Sequence, residues 1–290
     1  MHALAFVALG FAPGLFFLWR IYLRNRYRPD PKHLVARTFL LGVAAAVPIS
    51  LVESLIGDGK TMAQGAATVG AAAFTAFIVA GVVEELGKYL VVRSTVQDSP
   101  YCDEPMSGLV FASAAALGFA SIENVVYMVE HGASVIVLRA PTSTVAHVAF
   151  SALWGYPFGA AKSPGADGLA RARLALGLVA AIVAHGFYDY FLMKPDPSYW
   201  MTIVVLAITV AGFAFLLRRA VARSPNQARV ARVVKQCQTC AATVRFDARF
   251  CVRCGDGQRP GVELVCASCG AGVAHAGRFC TACGCRLVRT

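Results

Sequence analysis

Charged residues are scarce in this chain: Asp, Glu, Lys and Arg together make up only 15% of its 290 residues. A soluble globular domain is about one quarter charged, whereas this chain is 57% hydrophobic and has a mean hydropathy of +0.60. The apolar residues fall in blocks of about 20, the length at which a helix crosses a bilayer. The composition excludes an ordinary soluble fold and predicts a multi-span membrane protein.

Acidic residues are fewer than basic ones, 16 against 27, which gives a net charge of +11. An excess of this size can indicate a nucleic-acid-binding protein. Here, however, most Lys and Arg residues stand just outside the apolar blocks, where they set topology and meet anionic lipid. The charge therefore favours a lipid bilayer as partner and disfavours nucleic acid.

Seven apolar blocks predict an all-α bundle of about seven transmembrane helices. The first block has no basic segment before it and no small-residue cleavage site, so we expect a retained span rather than a signal peptide. The fifth block contains Arg139, Pro141 and Pro157, and we expect a broken helix there. The blocks cover approximately residues 2–19, 34–56, 65–92, 107–129, 133–161, 174–193 and 199–217.

The distribution of basic residues predicts the orientation in the membrane. Lys and Arg are concentrated in the first, third and fifth loops and after the seventh block, whereas the other loops contain Lys60 and Lys194, with Arg139 near a span end. Because cytosolic loops collect Lys and Arg, we expect the N-terminus outside and the C-terminal segment in the cytosol.

Two adjacent carboxylates and an ammonium group, Glu84, Glu85 and Lys88, interrupt the third apolar block. A charge at bilayer depth costs roughly 2.5–3.5 kcal/mol, so such groups are usually paired, turned inward and functional. Glu84 and Lys88 are four residues apart and can pair on one helix face. The other polar residues predicted at this depth are Glu123, Asn124, His147, His185 and Asp189.

These groups have the chemistry of a hydrolytic site. His185 and Asp189 are also four residues apart, so the carboxylate can orient the imidazole. Glu85 and Glu123 flank the loop at 94–106 and differ by about 12 Å in depth if their helices are straight, which permits a meeting without requiring one. In a low-dielectric site one carboxylate can act as general base on water, and an imidazole can stabilise an oxyanion or coordinate a metal.

Each group also has a structural interpretation. Glu84 and Lys88 can be an ion pair between helices, Glu123 and Asn124 a polar clamp, and His147 a packing residue. Glu53, near the end of the second block, is interpreted as interfacial. A non-catalytic sensor or scaffold would keep the same polar core. A proton-coupled transporter would need an inverted repeat, and the sequence contains no second copy of the Glu motifs.

Cysteine is almost absent before residue 237, where only Cys102 occurs, and this excludes a disulfide framework in the membrane part. Eight of the other nine cysteines form a Cys-x2-Cys-x10-Cys-x2-Cys pattern that recurs 29 residues later and resembles a double zinc ribbon. Four thiolates leave no open position, so both zinc ions are predicted to be structural. Cys285 is an alternative to Cys283, but the repeat favours ligand sets Cys237, Cys240, Cys251, Cys254 and Cys266, Cys269, Cys280, Cys283.

The membrane part resembles the PrsW family of intramembrane proteases, in a wider group with the prenyl-protein (CAAX) proteases. The resemblance extends over roughly residues 5–217; its motifs are Glu84-Glu85-Leu86-Gly87-Lys88, the stretch 118–124, His147 with Gly155-Tyr156, and the stretch 184–189. Ser107 departs from the family pattern, in which we expect Asp before Gly108.

This resemblance implies that a peptide bond in or beside the membrane is hydrolysed. By resemblance Glu84 and Glu85 activate water; Glu123, His147 and His185 complete the site; and Lys88, Asn124 and Asp189 support it. The implied substrate is a membrane-anchored protein such as an anti-sigma-factor-like regulator, and an active-site metal stays open. We predict a protease domain at 1–217, a basic linker at 218–236 and a double zinc ribbon at 237–285, with a protein partner for the ribbons.

Overall fold

The computed structural model describes residues 2–57, 66–163, 165–226, 230–245, 248–257, 264–273, 279–283 and 285–288. Within these residues seven helices are long and apolar enough to cross a membrane, which confirms the predicted polytopic bundle. We number them α1 to α7: His2–Tyr22, Lys32–Ile56, Val69–Val96, Pro105–His131, Val135–Ala161, Ala170–Met193 and Tyr199–Ala222.

The helix α4 is the centre of the bundle. Its residues are buried almost without interruption from Met106 to Ser121, and it packs against α1, α2 and α5. Many of these residues are Gly, Ala or Ser, which let other helices approach closely. Small residues permit close contacts: a Cβ at Gly118 would lie 2.1 Å from the carbonyl oxygen of Phe39 on α2, and one at Gly108 would lie 2.2 Å from the carbonyl oxygen of Gly155 on α5.

The helix α3 changes its winding immediately before the acidic pair. Residues Phe74–Val82 form a π-helical segment, and regular α-helix resumes at Val83. Segments of this kind insert extra backbone into a turn and often occur at functional sites. Nothing in the sequence indicated this change of winding, which lies next to Glu84 and Glu85.

The helix α5 is broken, as predicted, but at one place only. A short segment Val135–Arg139 is separated from Ser143–Ala161 by a turn that contains Pro141. Pro157 lies inside the longer segment without interrupting it. The break keeps Arg139 within the bundle, where it is buried.

The described residues of the C-terminal unit form a small five-stranded sheet. Its strands β1 to β5 are Val230–Gln236, Thr243–Arg245, Leu264–Cys266, Gly272–Val273 and Arg286–Val288. The strand order is β2-β1-β3-β4 with antiparallel neighbours, and β5 pairs with β1 in parallel. The chain divides into two compact units, Met1–Ala222 and Arg223–Thr290. The predicted ribbon fold is therefore present, and α7 and β1 both extend into the predicted linker.

Candidate active site and zinc sites

Lys88 is the hub of a polar cluster inside the helical bundle. Its ammonium group is 1% exposed and lies 2.9 Å from Glu84 Oε2, 2.9 Å from Glu85 Oε1 and 2.9 Å from His147 Nδ1. The first two partners stand four and three residues before it on α3, so the helix itself sets this geometry. His147 comes from α5, and the ammonium therefore joins two helices.

Glu85 is fully buried and has four hydrogen-bond donors around its two oxygens. Oε1 accepts from Lys88 and lies 3.2 Å from His185 Nδ1. Oε2 accepts from Ser151 Oγ and from Trp154 Nε1, each at 3.0 Å. A buried carboxylate needs such a set of donors because an unpaired one would be costly. These bonds fix the orientation of the Glu85 carboxylate, which in turn orients the side chains of Lys88 and His185.

His147 lies between the ammonium group of Lys88 and the carboxylate of Glu123. Its Nδ1 accepts from Lys88, so the ring proton is on Nε2, which donates to Glu123 Oε2 at 2.7 Å. Arg139 forms an ion pair with the same oxygen of Glu123 at 3.1 Å, and its guanidinium lies 3.7 Å from the ring centre of Tyr127. Glu123 thus orients His147, and Arg139 balances the charge of Glu123.

His185 approaches the cluster from α6. Its Nε2 lies 3.3 Å from Asp189 Oδ2, the predicted partner one helical turn away, and 3.8 Å from Glu84 Oε2. The ring packs face to face with Phe150, at 5.0 Å between centres. Both nitrogens of this imidazole face carboxylate oxygens, so its orientation is strongly determined.

Glu84, His147 and His185 form a three-residue set with the donor chemistry of a metal site. One ligand atom from each lies within 4.8 Å of the others, and Glu84 Oε2 is 3.7 Å from His147 Nδ1 and 3.8 Å from His185 Nε2. Tetrahedral ligands about 2.0–2.1 Å from a metal lie roughly 3.4 Å apart, close to the two distances from Glu84. Lys88 now contacts both Glu84 Oε2 and His147 Nδ1, so its ammonium group would have to withdraw from them. The opposite nitrogen of each imidazole already faces a carboxylate, the usual outer-shell partner of a metal-bound histidine.

The side chains of the cluster differ in their exposure. The side chains of Glu84, Glu85, Lys88, His147 and His185 are at most 8% exposed, whereas those of Glu123 and Asp189 are 24% and 16% exposed. The more exposed edge of the cluster is therefore the one formed by Glu123 and Asp189.

The predicted supporting residue Asn124 lies one step outside the cluster. Its Nδ2 donates to Thr144 Oγ1 at 3.0 Å, and its Oδ1 accepts from Arg139 Nε at 3.0 Å. These bonds form a polar clamp between α4 and α5, which is the structural interpretation that the sequence allowed for Asn124. The clamp also holds Arg139 against Glu123.

Sequence reasoning missed several members of this site. Arg139 was expected near a span end, and Ser151 and Trp154 gave no signal because a single Ser or Trp in an apolar helix is ordinary. The interfacial interpretation of Glu53 was wrong: the side chain is 6% exposed. Its Oε1 is buried and has no hydrogen-bond partner in the described part of the chain.

The position of Glu53 follows from its neighbours on α2. A Cβ at Gly87 would meet Ile49, and a Cβ at Gly57 would meet Val79, so α2 runs beside α3 with Glu53 level with Val83. From there Glu53 interacts electrostatically with Glu84, Glu123, Lys88 and His185. It is a further carboxylate at the edge of the cluster.

The two cysteine clusters in the ribbon unit have zinc-site geometry. Sulfur atoms of paired cysteines lie 3.6 and 3.7 Å apart in the first cluster and 3.8 and 3.6 Å apart in the second. A tetrahedral site with Zn–S bonds of about 2.3 Å requires roughly 3.8 Å. The clusters consist of the predicted residues, Cys237, Cys240, Cys251 and Cys254, and Cys266, Cys269, Cys280 and Cys283.

The backbone of each cysteine turn supports thiolate ligands. The first cysteine of each turn donates its N–H to the carbonyl five residues on, at 2.8–2.9 Å in all four turns. Backbone N–H groups at Cys283 and Ala282 lower the pKa of Cys280 to about 7. Cys285 is buried outside the second cluster, and its carbonyl oxygen accepts from Cys280 N.

Comparison with known proteins gives two family matches. The model of the "PrsW family intramembrane metalloprotease" matches residues 30–216, and that of the "Double zinc ribbon" matches residues 237–284. No solved structure matches the chain.

Curated relatives named Protease PrsW are similar over most of their length. The chain is 32% identical to that of Geobacillus kaustophilus over 203 residues, which are 70% of this chain and 86% of the relative. It is 31% identical to that of Bacillus subtilis over 227 residues, 78% and 99% of the two chains. The relative from Clostridioides difficile is 29% identical over 206 residues, 70% and 84%. The chain therefore belongs to the PrsW family of intramembrane metalloproteases and ends in a double zinc ribbon.

Proposed function

We propose that the helical bundle is an intramembrane endopeptidase whose reaction takes place at Glu84, His147 and His185. The observation that supports this most is the convergence of these residues with Glu85, Lys88 and Glu123 from four helices into one buried, fully hydrogen-bonded cluster. Such an assembly in a membrane protein costs free energy that simple packing would not require. Family membership favours the protease over the sensor and the transporter.

Glu84 is the proposed proton acceptor for the attacking water. Its Oε2 faces both imidazoles, and Lys88 balances its charge. The water oxygen attacks the scissile carbonyl carbon while Glu84 takes its proton, and the C–N bond breaks as that proton passes to the leaving amine. His185, held by Glu85, stabilises the developing oxyanion. His147, whose Nε2 proton is engaged with Glu123, keeps Lys88 beside Glu84 by accepting its hydrogen bond at Nδ1.

Glu84, His147 and His185 would also hold a divalent metal ion. When bound, such an ion would lower the pKa of a coordinated water and polarise the scissile carbonyl. Lys88 would then release Glu84 Oε2 and His147 Nδ1 and keep its bond to Glu85. Glu123 and Glu85 would keep the two imidazoles oriented from their opposite nitrogens.

We propose a membrane-anchored protein as substrate, of the anti-sigma-factor type. The exposed apolar surface of the helices includes Leu40, Leu55 and Ile203. This surface suits contact with lipid and with a substrate that is anchored in the same bilayer. The Lys and Arg distribution supports an outside N-terminus and cytosolic ribbons. Limited proteolysis of sealed vesicles tests this: ribbons that stay protected in cytosol-inside vesicles agree with the orientation.

For the ribbons we propose a protein-binding role. Their zinc ions have four protein ligands and no open position, so they do not catalyse. Phe250, Val252 and Phe279 are exposed beside the cysteine turns, which suits contact with a protein partner better than with nucleic acid.

The test is cleavage of single-span membrane proteins by the full-length chain in liposomes. Glu84→Gln, His147→Gln and His185→Gln should each abolish cleavage without loss of insertion. The matched control is Glu130→Gln, because Glu130 ends the same helix as Glu123 but is 56% exposed and outside the cluster. Cleavage that persists in all three site variants would overturn the proposal.

A further inference from the structure

A cleft between α1, α5 and α7 combines an apolar wall with two unpaired cations. It has a volume of about 290 Å³. The wall from α1 consists of Phe17, Arg20, Ile21 and Arg24, which lie three or four residues apart and therefore share one helix face. Backbone hydrogen bonds extend the helical path beyond Tyr22 as far as Arg24.

The opposite walls are entirely apolar. The helix α5 contributes Val145 and Val148, and α7 contributes Val210, Phe213 and Leu217, among others. From Phe17 to Arg24 the cleft follows α1 for about 10 Å. It therefore begins among apolar side chains inside the bundle and ends at the basic helix terminus.

Both arginines are exposed. Within the described residues neither guanidinium group makes a hydrogen bond or an ion pair. Some other arginines of the bundle do have carboxylate partners: Arg28 pairs with Asp103, and Arg173 pairs with Asp167 at 3.0 Å. A pair of free guanidinium groups at headgroup depth is suited to a phosphate oxygen.

We propose that this cleft binds one anionic phospholipid, with an acyl chain between α1, α5 and α7 and its phosphate on Arg20 and Arg24. Charge complementarity and the amphipathic shape of the cleft determine this choice of ligand. A zwitterionic lipid would bring no net charge to the two cations, and a soluble phosphate would leave the apolar wall empty. Because Val145 and Val148 flank His147 along α5, the bound lipid would brace the helix that carries this imidazole.

The test measures lipid retained by the full-length protein in detergent micelles. Phosphatidylglycerol and phosphatidylcholine of equal chain length are added in equal amounts and counted by native mass spectrometry. We expect one retained phosphatidylglycerol, and Arg20→Gln with Arg24→Gln should lower its preference roughly thirty-fold, the effect of two surface cations. Arg20→Lys with Arg24→Lys should preserve most of the preference.

The matched control is Arg218→Gln with Arg219→Gln, which removes two arginines from the end of α7 that do not line the cleft. This control pair should leave retention unchanged. Ala214→Phe, which fills the cleft without changing charge, should abolish retention. Gel filtration and the thermal midpoint in lipid-free detergent verify that each variant is folded.

Three outcomes would overturn the proposal. Equal losses in the cleft pair and the control pair would indicate a diffuse surface field. Full competition by millimolar inorganic phosphate would indicate a headgroup site without a chain site. Unchanged retention in Ala214→Phe would place the lipid elsewhere on the protein.

Discussion

Replacement of Lys88 by Met should destabilise the bundle severely. The ammonium group is 1% exposed and makes three contacts of 2.9 Å, two of them to carboxylates. The substitution keeps the length of the side chain but leaves the adjacent carboxylates of Glu84 and Glu85 without their ammonium counter-ion in a low-dielectric interior. Removal of one partner from a buried ion pair costs about 3–5 kcal/mol.

This cost is a large part of a typical domain stability of roughly 5–15 kcal/mol. In a unit of this size 1 kcal/mol shifts the unfolding midpoint by roughly 2–4 °C, so we expect a fall of roughly 6–20 °C. The measurement is thermal unfolding in detergent, followed by circular dichroism. Lys32→Met is the control, because Lys32 is exposed at the start of α2.

A second substitution tests the reason for the loss. Glu85→Gln in the Lys88→Met background removes one of the uncompensated charges and should recover part of the midpoint, although each single change destabilises. Positive coupling of roughly 0.5–3 kcal/mol is typical of residues in one network. A Lys88→Met protein that melts with the wild type, or a double variant whose losses simply add, would refute the electrostatic explanation.

Four further predictions follow from single contacts. Glu123→Gln should lower the rate of cleavage roughly 10–100-fold, because His147 loses the carboxylate that orients it. The stability of the ribbons should not change. A variant as active as the wild type would show that Glu123 is dispensable. Glu53→Leu should raise the unfolding midpoint, since it removes a buried oxygen that has no hydrogen-bond partner among the described residues, but it should lower the rate of cleavage. A variant with a higher midpoint and a higher rate of cleavage would show that Glu53 has no role in the reaction. Burial raises the pKa of Asp30 to about 7, so between about pH 4 and 7 the folded state binds a proton that the unfolded state releases. The stability of the protein should therefore fall as pH rises through this range. Asp30→Asn should make the unfolding midpoint less dependent on pH, which thermal melts across the range would measure. Gly118→Val should lower the midpoint strongly, because its Cβ would lie 2.1 Å from the carbonyl oxygen of Phe39, whereas Gly212→Val meets nothing within 4 Å and should be neutral.

The sequence predicted the helices well because each span is encoded by its own hydropathy. Seven blocks of sufficient length became seven helices, and the turn at Pro141 appeared where proline and arginine interrupt the fifth block. Pro157 did not end its helix, since a bundle can satisfy the backbone groups that a proline frees. The π-helical segment at Phe74–Val82 could not be predicted because its apolar residues are those of an ordinary transmembrane helix.

The site was predictable only in its charged members. Glu84, Glu85 and Lys88 stand out in an apolar block, and the i,i+4 rule paired His185 with Asp189, as the structure has them. The contact partners Ser151, Trp154 and Arg139 depend on the rotation and depth of α5 relative to α3, and a single sequence does not encode these. Glu53 was misplaced for the same reason: its position near a helix end suggested the interface, whereas α3 covers it.

The central claim is that water, activated at Glu84, hydrolyses a peptide bond of a membrane-anchored protein. The most direct measurement is mass spectrometry of the products formed in liposomes in ¹⁸O-labelled water by the wild type, Glu84→Gln and Glu130→Gln. The account predicts fragments whose new carboxyl terminus carries one ¹⁸O atom, formed by the wild type and Glu130→Gln and not by an inserted, folded Glu84→Gln protein. Fragments that form equally with Glu84→Gln, or termini without ¹⁸O, would contradict it.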